Sequence, residues 1–549
     1  MPVFHSVTDV VQFRAADSPE RTAFTFLRRD GPPDEIAYGA LAARVEGVAA
    51  AIAAQSSEGD RVLLMFRPGI DYIVAFLACL HAGRIAVPAY PPHPARLHRM
   101  IGRLDALAAD AKPSVALTSS DLLAPIAAFG AMVPALATVR WCATDEVQPA
   151  ERLPPVRGDI AFLQYTSGST STPRGVVLGH DTLLHNLEAI RRAFRQDADT
   201  RGVFWLPPYH DMGLIGGILE PLYAGYPAAL MAPEDFLARP LDWLLAIERF
   251  GATTSGGPNF AYDLCVRKTT PEQRAALDLS RWDLAFNGAE PVRAETLARF
   301  AAAFEVSGFD RRAFYPCYGL AESTLLVTGG EVGAGACVVD VDPEALAERR
   351  LDPGPRPMVA CGVPAHGLTV TTVDPDGVEV APGQVGEIWV SGASVARGYW
   401  GREGDPTFSG SLASRPGERF LRTGDLGART ERGLVVTGRL RDLLVIRGRN
   451  VYPQDLELAA ERAHPSVRPG GTAAFATGDD ERVALVAEVD ARGAEDPDAV
   501  ARAIRRAVTD AHEVTLAVVA LIRAGSIPKT SSGKIQRAAC RAELDAGTL

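Results

Sequence analysis

The chain has 549 residues, 47% of them hydrophobic and 22% charged, and its formal net charge is −11. This length exceeds the size at which a single core stops growing, so we expect two or more domains. The average composition argues against a disordered or membrane-embedded chain, and the acidic balance argues against general binding of nucleic acid or anionic lipid.

The first 20 residues lack a basic region followed by an apolar core, so we predict no signal peptide. The most apolar stretch, residues 122–139, contains Pro125 and Pro134 and predicts soluble core, with no stable membrane insertion. Seven scattered cysteines without a C-x-x-C pair disfavour a disulfide framework or a zinc site. We therefore expect a cytoplasmic protein.

Apolar and amphipathic stretches alternate along most of the chain. Residues 61–66, 160–165 and 228–231 predict strands. The apolar residues Leu183, Leu184, Leu187, Ile190 and Phe194 recur at helical spacing behind Asp181, which is a candidate N-cap. This alternation is typical of helices layered on sheets, so we predict an α/β fold.

Near the C-terminus the pattern predicts a smaller α+β domain. Its elements are two strands, at residues 481–489 and 514–522, and one helix, at residues 497–511. The preceding residues 438–450 are rich in glycine and arginine, which suits a junction that changes shape. We place a hinge at Asp442, which divides the chain into domains 1–441 and 442–549.

The strongest local signal is a loop rich in Ser, Thr and Gly that follows the strand at residues 160–165. Hydroxyls and backbone N–H groups in such a loop can surround phosphate oxygens. The loop is not a Walker A motif, because no G-K-[ST] opens into a helix. Alone, its composition also fits a solvated linker. The predicted phosphate-binding residues are Thr166, Ser167, Gly168, Ser169, Thr170 and Arg174.

Together with strings further along the chain, this loop resembles the phosphate loop of the adenylate-forming superfamily, which includes acyl-CoA synthetases, luciferases and adenylation domains. The strings occur in the superfamily's order, at residues 287–290, 318–324, 423–425, 438–439 and 528–534. Each is weak by itself, because a lone charged residue is usually a solvated surface group. Their shared order along nearly the whole chain makes the resemblance specific.

The resemblance implies a large N-terminal adenylate-forming domain of layered sheets and helices, followed by a small, mobile α+β domain. It implies ATP and Mg²⁺ as cofactors, Lys534 as a catalytic cation and Glu322 as a catalytic carboxylate that directs the metal. The residues implied to bind ATP or AMP, besides those of the loop, are Gly288, Ala289, Glu290, Tyr318, Gly319, Ala321, Ser323, Asp425 and Arg439.

These implied roles agree with the chemistry. Attack of a carboxylate on the α-phosphate brings two anions together, so cations are needed at the reacting centre. Lys534 supplies a point charge, and Asp425 offers acceptors to the ribose hydroxyls. The loop departs from the superfamily pattern with Ser171 in place of a usual glycine and Arg174 in place of a usual lysine.

A finer resemblance is to fatty acyl-AMP ligases, on residues 86–92, 205–214 and 447–455. It implies acyl transfer to the phosphopantetheine thiol of an acyl carrier protein. It also implies that His210 is catalytic and lies near the substrate carboxylate, although a hydrogen-bonded core histidine is the alternative. Residues 330–357 resemble the insertion of these ligases, and an ordinary surface loop is the alternative.

The predicted function is therefore ATP-dependent activation of a fatty acid to acyl-AMP, followed by transfer to a carrier protein, in polyketide, lipopeptide or lipid biosynthesis. The alternatives are a fatty acyl-CoA synthetase and a non-catalytic, nucleotide-binding relative. An amino-acid substrate is disfavoured, because no acidic residue between 205 and 240 is clearly placed for an α-ammonium group. The apolar run 214–230 suits an alkyl tail.

Overall fold

The computed structural model describes residues 2–91, 97–147, 153–166, 173–446, 449–478, 482–490, 496–530 and 533–549. Within these ranges the α-helices are α1 (Val7–Asp17), α2 (Tyr38–Ala53), α3 (Ile70–His81), α4 (Leu97–Ala111), α5 (Ser120–Gly130), α6 (His180–Ala193), α7 (Glu220–Ala224), α8 (Pro233–Ala238), α9 (Leu241–Phe250), α10 (Asn259–Lys268), α11 (Pro271–Ala275), α12 (Ala294–Phe304), α13 (Pro343–Ala347), α14 (Pro453–Ala463), α15 (Pro497–His512) and α16 (Arg537–Asp545). A π-helical segment, Met212–Leu219, leads into α7. Among the described residues, no helix is both long enough and apolar enough to cross a bilayer.

The strands of the same ranges are β1 (Thr22–Leu27), β2 (Asp34–Ala37), β3 (Arg61–Leu64), β4 (Ile85–Pro88), β5 (Val115–Thr118), β6 (Arg140–Ala143), β7 (Ile160–Thr166), β8 (Arg174–Gly179), β9 (Gly202–Phe204), β10 (Ala228–Met231), β11 (Thr254–Gly257), β12 (Leu284–Asn287), β13 (Phe314–Gly319), β14 (Leu326–Gly329), β15 (Val338–Val341), β16 (Arg356–Val359), β17 (Val363–Pro364), β18 (Leu368–Val373), β19 (Gly386–Gly392), β20 (Gly410–Leu412), β21 (Arg415–Thr430), β22 (Gly433–Arg439), β23 (Leu444–Ile446), β24 (Arg449–Val451), β25 (Val467–Thr477), β26 (Arg482–Val489) and β27 (Leu516–Arg523).

Two largely parallel sheets build the N-terminal part. In the described ranges, one sheet has the order β17-β14-β13-β12-β11-β9-β10-β1-β2, and the strands from β13 to β1 run parallel. The other has the order β6-β5-β3-β4-β7-β8, with β8 antiparallel to β7. The layered α/β class predicted from the periodicity is confirmed.

Helix α3 joins these two sheets. It is buried along its whole length except at Asp71, as expected for a helix that is apolar on every side. Its Phe76 ring packs against Phe162 of β7 with centroids 5.4 Å apart. Its Tyr72 hydroxyl donates a hydrogen bond of 2.7 Å to the carbonyl of Pro208, which follows β9. The two layers therefore share one core.

The parallel arrangement brings several predicted motifs to one edge. Ligands of open α/β sheets bind outside the carboxyl ends of the strands. Residues 205–213 follow β9, the string at residues 287–290 follows β12, and Tyr318 and Gly319 end β13. An antiparallel sheet, ordered β18-β19-β21-β20 with β22 beside β21, adds residues 423–425 and Arg439. Strand register places Asp425 directly opposite Arg439.

The C-terminal elements form a smaller α+β unit with its own core. Strand β26 lies between antiparallel β25 and parallel β27, and α14 and α15 pack Leu456, Ile504 and Val508 against them. The strand and helix patterns predicted for this part match β26, α15 and β27. One local prediction was wrong. Helix α6 begins at His180 with Gly179 at its N-cap, whereas Asp181 lies in the first turn and accepts a hydrogen bond from Arg397.

The segment predicted as an insertion, residues 330–357, carries regular structure. Its strand β15 pairs antiparallel with β16, and α13 lies between them. Val341 and Leu346 of this segment pack against Leu426 of β21 and Tyr452, which precedes α14. This segment, hereafter the insertion, therefore contacts both the large sheet region and the start of the C-terminal unit.

Candidate functional site

A cleft of about 3290 Å³ separates the N-terminal part from the C-terminal unit. It lies at the strand edge described above. The residues predicted from the sequence that line it are Thr166, Arg174, His210, Ala289, Glu290, Tyr318, Gly319, Ala321, Glu322, Asp425, Arg439, Asp442 and Lys534. Gly288 and Ser323 do not line it, and Ser167, Gly168, Ser169 and Thr170 lie outside the described residues.

Asp425 is held in the cleft wall by two donors. The Tyr318 hydroxyl donates to Oδ2 at 2.8 Å, and Arg439 Nε donates to Oδ1 at 2.9 Å. Asp425 is only 7% exposed, and burial with the adjacent carboxylate raises the pKa of Tyr318. A carboxylate fixed in this way presents its remaining lone pairs to hydroxyl donors, such as those of a ribose.

Glu322 lies on a tight turn at the edge of the cleft. The short 3₁₀ turn Ala321–Ser323 carries it, and buried Thr324 follows with φ of 66°. A Cβ on Gly319 would approach the carbonyl oxygen of Leu325 to 1.8 Å, so glycine is required there. The Tyr399 hydroxyl donates a 2.8 Å hydrogen bond to Glu322 Oε1. This strained turn aims the carboxylate in one direction.

Tyr399 also connects Glu322 to the flank of the phosphate loop. The Arg174 guanidinium lies over the Tyr399 ring, with Cζ 5.2 Å from its centroid. Among the described residues, Arg174 Nε is buried without a hydrogen-bond partner. Arg174 thus brings positive charge to the cleft beside the carboxylate of Glu322.

A second tight turn follows β12. Ala289 has φ of 67°, and Glu290 Oε1 accepts a 2.6 Å hydrogen bond from the backbone N–H of Phe260. Burial raises the pKa of Glu290, whereas that hydrogen bond lowers it. Gly288 lies behind the wall, where a Cβ would come within 2.8 Å of Cys317 Sγ. Its backbone therefore packs directly against β13.

His210 and Asp211 precede the π-helical segment. A Cβ on Gly213 would come within 2.0 Å of the Pro207 carbonyl oxygen, so only glycine closes this turn. Asp211 Oδ1 accepts a 2.7 Å hydrogen bond from the Met212 N–H, and burial raises the pKa of the Asp211 carboxyl while the charge of Lys534 lowers it. Asp211 was not among the site residues predicted from the sequence, although it adjoins His210 in the same motif.

Lys534 reaches the cleft from the C-terminal unit. Its backbone N–H donates to Thr530 Oγ1 at 3.0 Å, and its carbonyl accepts from the Thr530 N–H at 2.7 Å. Solvent reaches the side chain, yet desolvation by the cleft walls lowers its pKa, and the charge of Arg439 lowers it further. The carboxylates of Asp211, Asp425 and Glu290 oppose this shift. Lys534 therefore lies near carboxylates from three separate segments of the N-terminal part.

A buried apolar arm extends from the cleft. It is lined by Ile190, Phe194, Phe204, Gly216, Phe286 and Leu325. Ile190, Phe204 and Phe286 are all buried, so core side chains form the walls of the arm. Only Gly216 belongs to the apolar run 214–230 predicted to hold an alkyl tail. Leu214 and Ile218 of that run pack into the core instead.

Asp442, which the sequence predicts as the hinge, and the insertion both contact elements of the C-terminal unit. Asp442 Oδ2 accepts a 2.9 Å hydrogen bond from Arg537 of α16. The other nitrogens of Arg537, Nε and Nη2, donate to Glu457 of α14 at 2.7 Å each. Arg356 of the insertion donates two hydrogen bonds to Asp455 of α14. These contacts join distant segments, so no local sequence pattern could reveal them.

Comparison with known proteins places this cleft in a family context. Residues 11–400 match the model of the AMP-binding enzymes, and residues 441–547 match the AMP domain of Disco-interacting protein 2-like proteins. The medium-chain-fatty-acid–[acyl-carrier-protein] ligase JamA of Moorena producens is 42% identical, over 100% of this chain and 96% of JamA. The long-chain-fatty-acid–AMP ligase FadD32 of Mycolicibacterium smegmatis is 36% identical, over 96% of this chain and 92% of FadD32.

Solved structures give the same result. A chain from a study of fatty acyl-adenylate ligases of E. coli and L. pneumophila superposes with a TM-score of 0.90 at 33% identity, covering 100% of this chain and 99% of that chain. A fatty acyl-adenylate ligase of L. pneumophila, solved with acyl adenylate and pyrophosphate, has a TM-score of 0.77 at 39% identity, covering 98% and 96%. The chain belongs to the adenylate-forming AMP-binding enzymes, within the branch of the fatty acyl-AMP ligases.

Proposed function

We propose that this ligase joins a fatty acid to AMP, releasing pyrophosphate, and then transfers the acyl group to the phosphopantetheine thiol of an acyl carrier protein. One observation carries the proposal. Lys534 of the C-terminal unit lines a cleft that Asp425 and Glu322 of the N-terminal part also line. The same cleft extends into a buried apolar arm. A cation, a ribose acceptor and an alkyl-sized arm are the parts that fatty-acid adenylation requires.

In the first half-reaction, a carboxylate oxygen of the fatty acid attacks the α-phosphorus of ATP. The bond from phosphorus to the bridging oxygen of the β-phosphate breaks, and pyrophosphate leaves with that electron pair. Lys534 offsets the repulsion between the two anions as a point charge. Asp425 orients the ribose, and His210, which lines the same cleft, contacts the carboxylate.

Glu322 is the residue that we assign to Mg²⁺. Its carboxylate oxygens are the hard donors that this ion prefers, and Tyr399 fixes their orientation. When bound, Mg²⁺ would neutralise part of the negative charge of the phosphates. The loop at residues 166–170 and Arg174 would hold the remaining phosphate oxygens.

The second half-reaction requires a different arrangement of the two domains. The thiol sulfur attacks the acyl carbonyl carbon, and AMP leaves with the electron pair of the broken C–O bond. Because Lys534 occupies the cleft, we propose that domain 442–549 swings about Asp442, relative to domain 1–441, to admit the phosphopantetheine arm. JamA is named as a ligase of acyl-carrier-protein, which supports the same acceptor for this chain.

The insertion supports a carrier protein over free coenzyme A. Arg356 and the apolar contact of Leu346 with Tyr452 fasten the insertion to the C-terminal unit. When the small domain rotates, these contacts are lost. A carrier protein can offset that loss with new contacts from its own surface, whereas coenzyme A has little surface to do so. We therefore propose that the insertion disfavours the free thiol.

Mass spectrometry of the purified protein with ATP, Mg²⁺ and fatty acids of graded length tests this proposal. Each reaction is run alone, with coenzyme A and with a phosphopantetheinylated carrier protein. We expect acyl-AMP to accumulate in the first two mixtures and acyl-carrier protein to form in the third. Efficient acyl-CoA formation would identify a coenzyme A synthetase, and the absence of any acyl-AMP would identify a non-catalytic relative.

A further inference from the structure

Arg103 is a cation of the cleft wall that the motifs of the family resemblance do not include. It lies on α4, is half-buried, and lines the cleft together with Thr166 and Arg174. Within the part of the chain that the structure describes, it makes neither a hydrogen bond nor an ion pair. Buried cations are ordinarily paired with an acceptor, so an anion is the expected partner of this one.

The geometry of α4 explains why Arg103 lies there. The Tyr165 hydroxyl at the end of β7 donates a 2.6 Å hydrogen bond to Asp110 Oδ2 near the end of α4. Helix α4 leads into β5, which runs in the same direction as β7, so α4 runs antiparallel to β7. Arg103 precedes Asp110 by two helical turns, about 10.5 Å, on the same face. It therefore extends beyond the carboxyl end of β7.

The carboxyl end of β7 is where the predicted phosphate loop begins. Residues 167–172, Ser-Gly-Ser-Thr-Ser-Thr, contain no charged side chain. Of the flanking residues, Thr166 is neutral and Arg174 is cationic. A polyphosphate bound there would carry several negative charges with a single loop cation to meet them. The fork of a second guanidinium matches phosphate oxygens in charge and shape.

Desolvation is consistent with this role. Burial lowers the pKa of Arg103, as expected for a cation kept from water without a carboxylate to offset the cost. Among the described residues, the Nε atom of Arg174 is likewise buried and has no hydrogen-bond partner. Two guanidinium groups thus line the same end of the cleft, and both have donors available.

We propose that Arg103 is a second polyphosphate-binding residue, which with Arg174 holds the β- and γ-phosphates of ATP and then the departing pyrophosphate. This inference rests on the proposed function, because it takes ATP as the substrate of this cleft. It also extends that function, since it gives α4 a part in retaining the leaving group. AMP and the acyl adenylate lack the β- and γ-phosphates, so Arg103 should contribute little to their binding.

The test compares Arg103→Gln with Arg103→Lys and with Arg67→Gln, a control that removes the same charge from an exposed ion pair with Asp121. Calorimetry measures binding of inorganic pyrophosphate with Mg²⁺ and, separately, binding of AMP. We expect Arg103→Gln to weaken pyrophosphate binding about 10-fold or more, the loss of hydrogen bonds to a charged group, and AMP binding by less than 2-fold. Arg103→Lys should fall between it and the wild type, and the control should not change.

The kinetic counterpart is the KM for ATP in adenylation and the KM for pyrophosphate in the reverse reaction from acyl-AMP. Both should rise in Arg103→Gln. Unchanged pyrophosphate binding, or equal losses for pyrophosphate and AMP as a structural defect would give, overturns the inference. If Arg103→Gln does not fold, Arg103→Lys decides by the same comparison. A wild type that binds pyrophosphate through Arg103 but forms no acyl-AMP would contradict the proposed function alone.

Discussion

Arg356 of the insertion and Asp455 of α14 form a two-pronged ion pair across the junction between the large and small parts of the molecule. The two guanidinium nitrogens lie 2.7 and 2.5 Å from the two carboxylate oxygens, and both side chains are mostly buried. Bidentate pairs with little exposure are the kind that contributes measurably to stability or orientation. This pair, with the hydrogen bond that Asn450 donates to the Ala347 carbonyl, links the insertion directly to the C-terminal unit.

We predict that Arg356→Ala raises acyl transfer to coenzyme A about 5-fold or more and leaves acyl-AMP formation within about 2-fold, because the small domain loses a restraint of at least about 1 kcal/mol. Transfer rates are measured by quenched mass spectrometry from preformed acyl-AMP. A double-mutant cycle with Asp455→Ala should show that the two changes are not additive. Additive effects, or no gain from either change, would show that the pair does not restrain the domain.

Lys534→Ala should lose most adenylate formation, by more than about 100-fold in kcat, because this ammonium offsets charge that builds only in the transition state. Pyrophosphate release is the assay. The melting temperature and AMP binding should change little, since the side chain is solvent-exposed. Lys529→Ala, on the same loop but bonded to the Gly470 carbonyl, is the matched control. Activity of Lys534→Ala within about 10-fold of wild type would remove Lys534 from the catalytic role.

The lowered pKa of Lys534 gives adenylation a pH dependence. The ammonium form is lost as pH rises through its pKa, and desolvation and Arg439 place that pKa below the ordinary lysine value of about 10.4. We therefore expect kcat to fall on the alkaline side at a lower pH than a free lysine would give. Lys534→Arg should abolish this alkaline limb, even at reduced activity, because a guanidinium does not deprotonate in that range. An unchanged limb in Lys534→Arg would assign it to another group.

Asp442→Pro should separate the two half-reactions, because proline fixes φ and restricts the preceding residue. We expect adenylation to remain within about 3-fold of wild type and acyl transfer to fall at least about 30-fold. Asp442→Ala is the matched control. It removes the hydrogen bond from Arg537 while leaving the backbone free to rotate. If Asp442→Pro and Asp442→Ala slow the same half-reaction equally, the loss would come from the missing side-chain contact with Arg537. Rotation about residue 442 would then not be required for acyl transfer.

Gly216→Leu should shift the substrate preference toward shorter fatty acids. An added Cβ at Gly216 would lie 3.4 Å from Leu325 Cδ2, in ordinary contact, so a small side chain fits and a larger one projects into the apolar arm. Each methylene that loses its place costs about 0.8 kcal/mol of binding. The measurement is kcat/KM for adenylation across a series of chain lengths, with Gly216→Ala as the intermediate case. A uniform loss at all lengths would mean that the arm does not hold the alkyl chain.

The layered fold and the order of the motifs could be predicted from the sequence, because both depend on local sequence patterns. Strands β7, β10 and β26 and helices α6 and α15 follow from the spacing of apolar residues. The N-cap of α6 could not be predicted from the sequence, because Asp181 pairs with Arg397, which is more than 200 residues away. Long-range packing also decides the apolar arm, whose walls come from α6, β9, β12 and the turn at Leu325, with a single contribution, Gly216, from the run that looked most suitable. Arg103 likewise lines the cleft with Thr166 and Arg174, which are distant from it in sequence.

Arg439 ends β22 beside Asp425, and Asp442, the proposed hinge, follows only three residues later. The AMP part of the intermediate would therefore be bound by Asp425 and Arg439, in the last part of the large domain before the proposed hinge. On this arrangement the adenylate would stay in place while Lys534 withdraws from the carboxylate and α-phosphate groups and the phosphopantetheine thiol then approaches the carbonyl carbon. The reactive acyl–phosphate anhydride would not have to move, so each turnover would need the small domain to rotate away and back, and the labile intermediate would not pass through water.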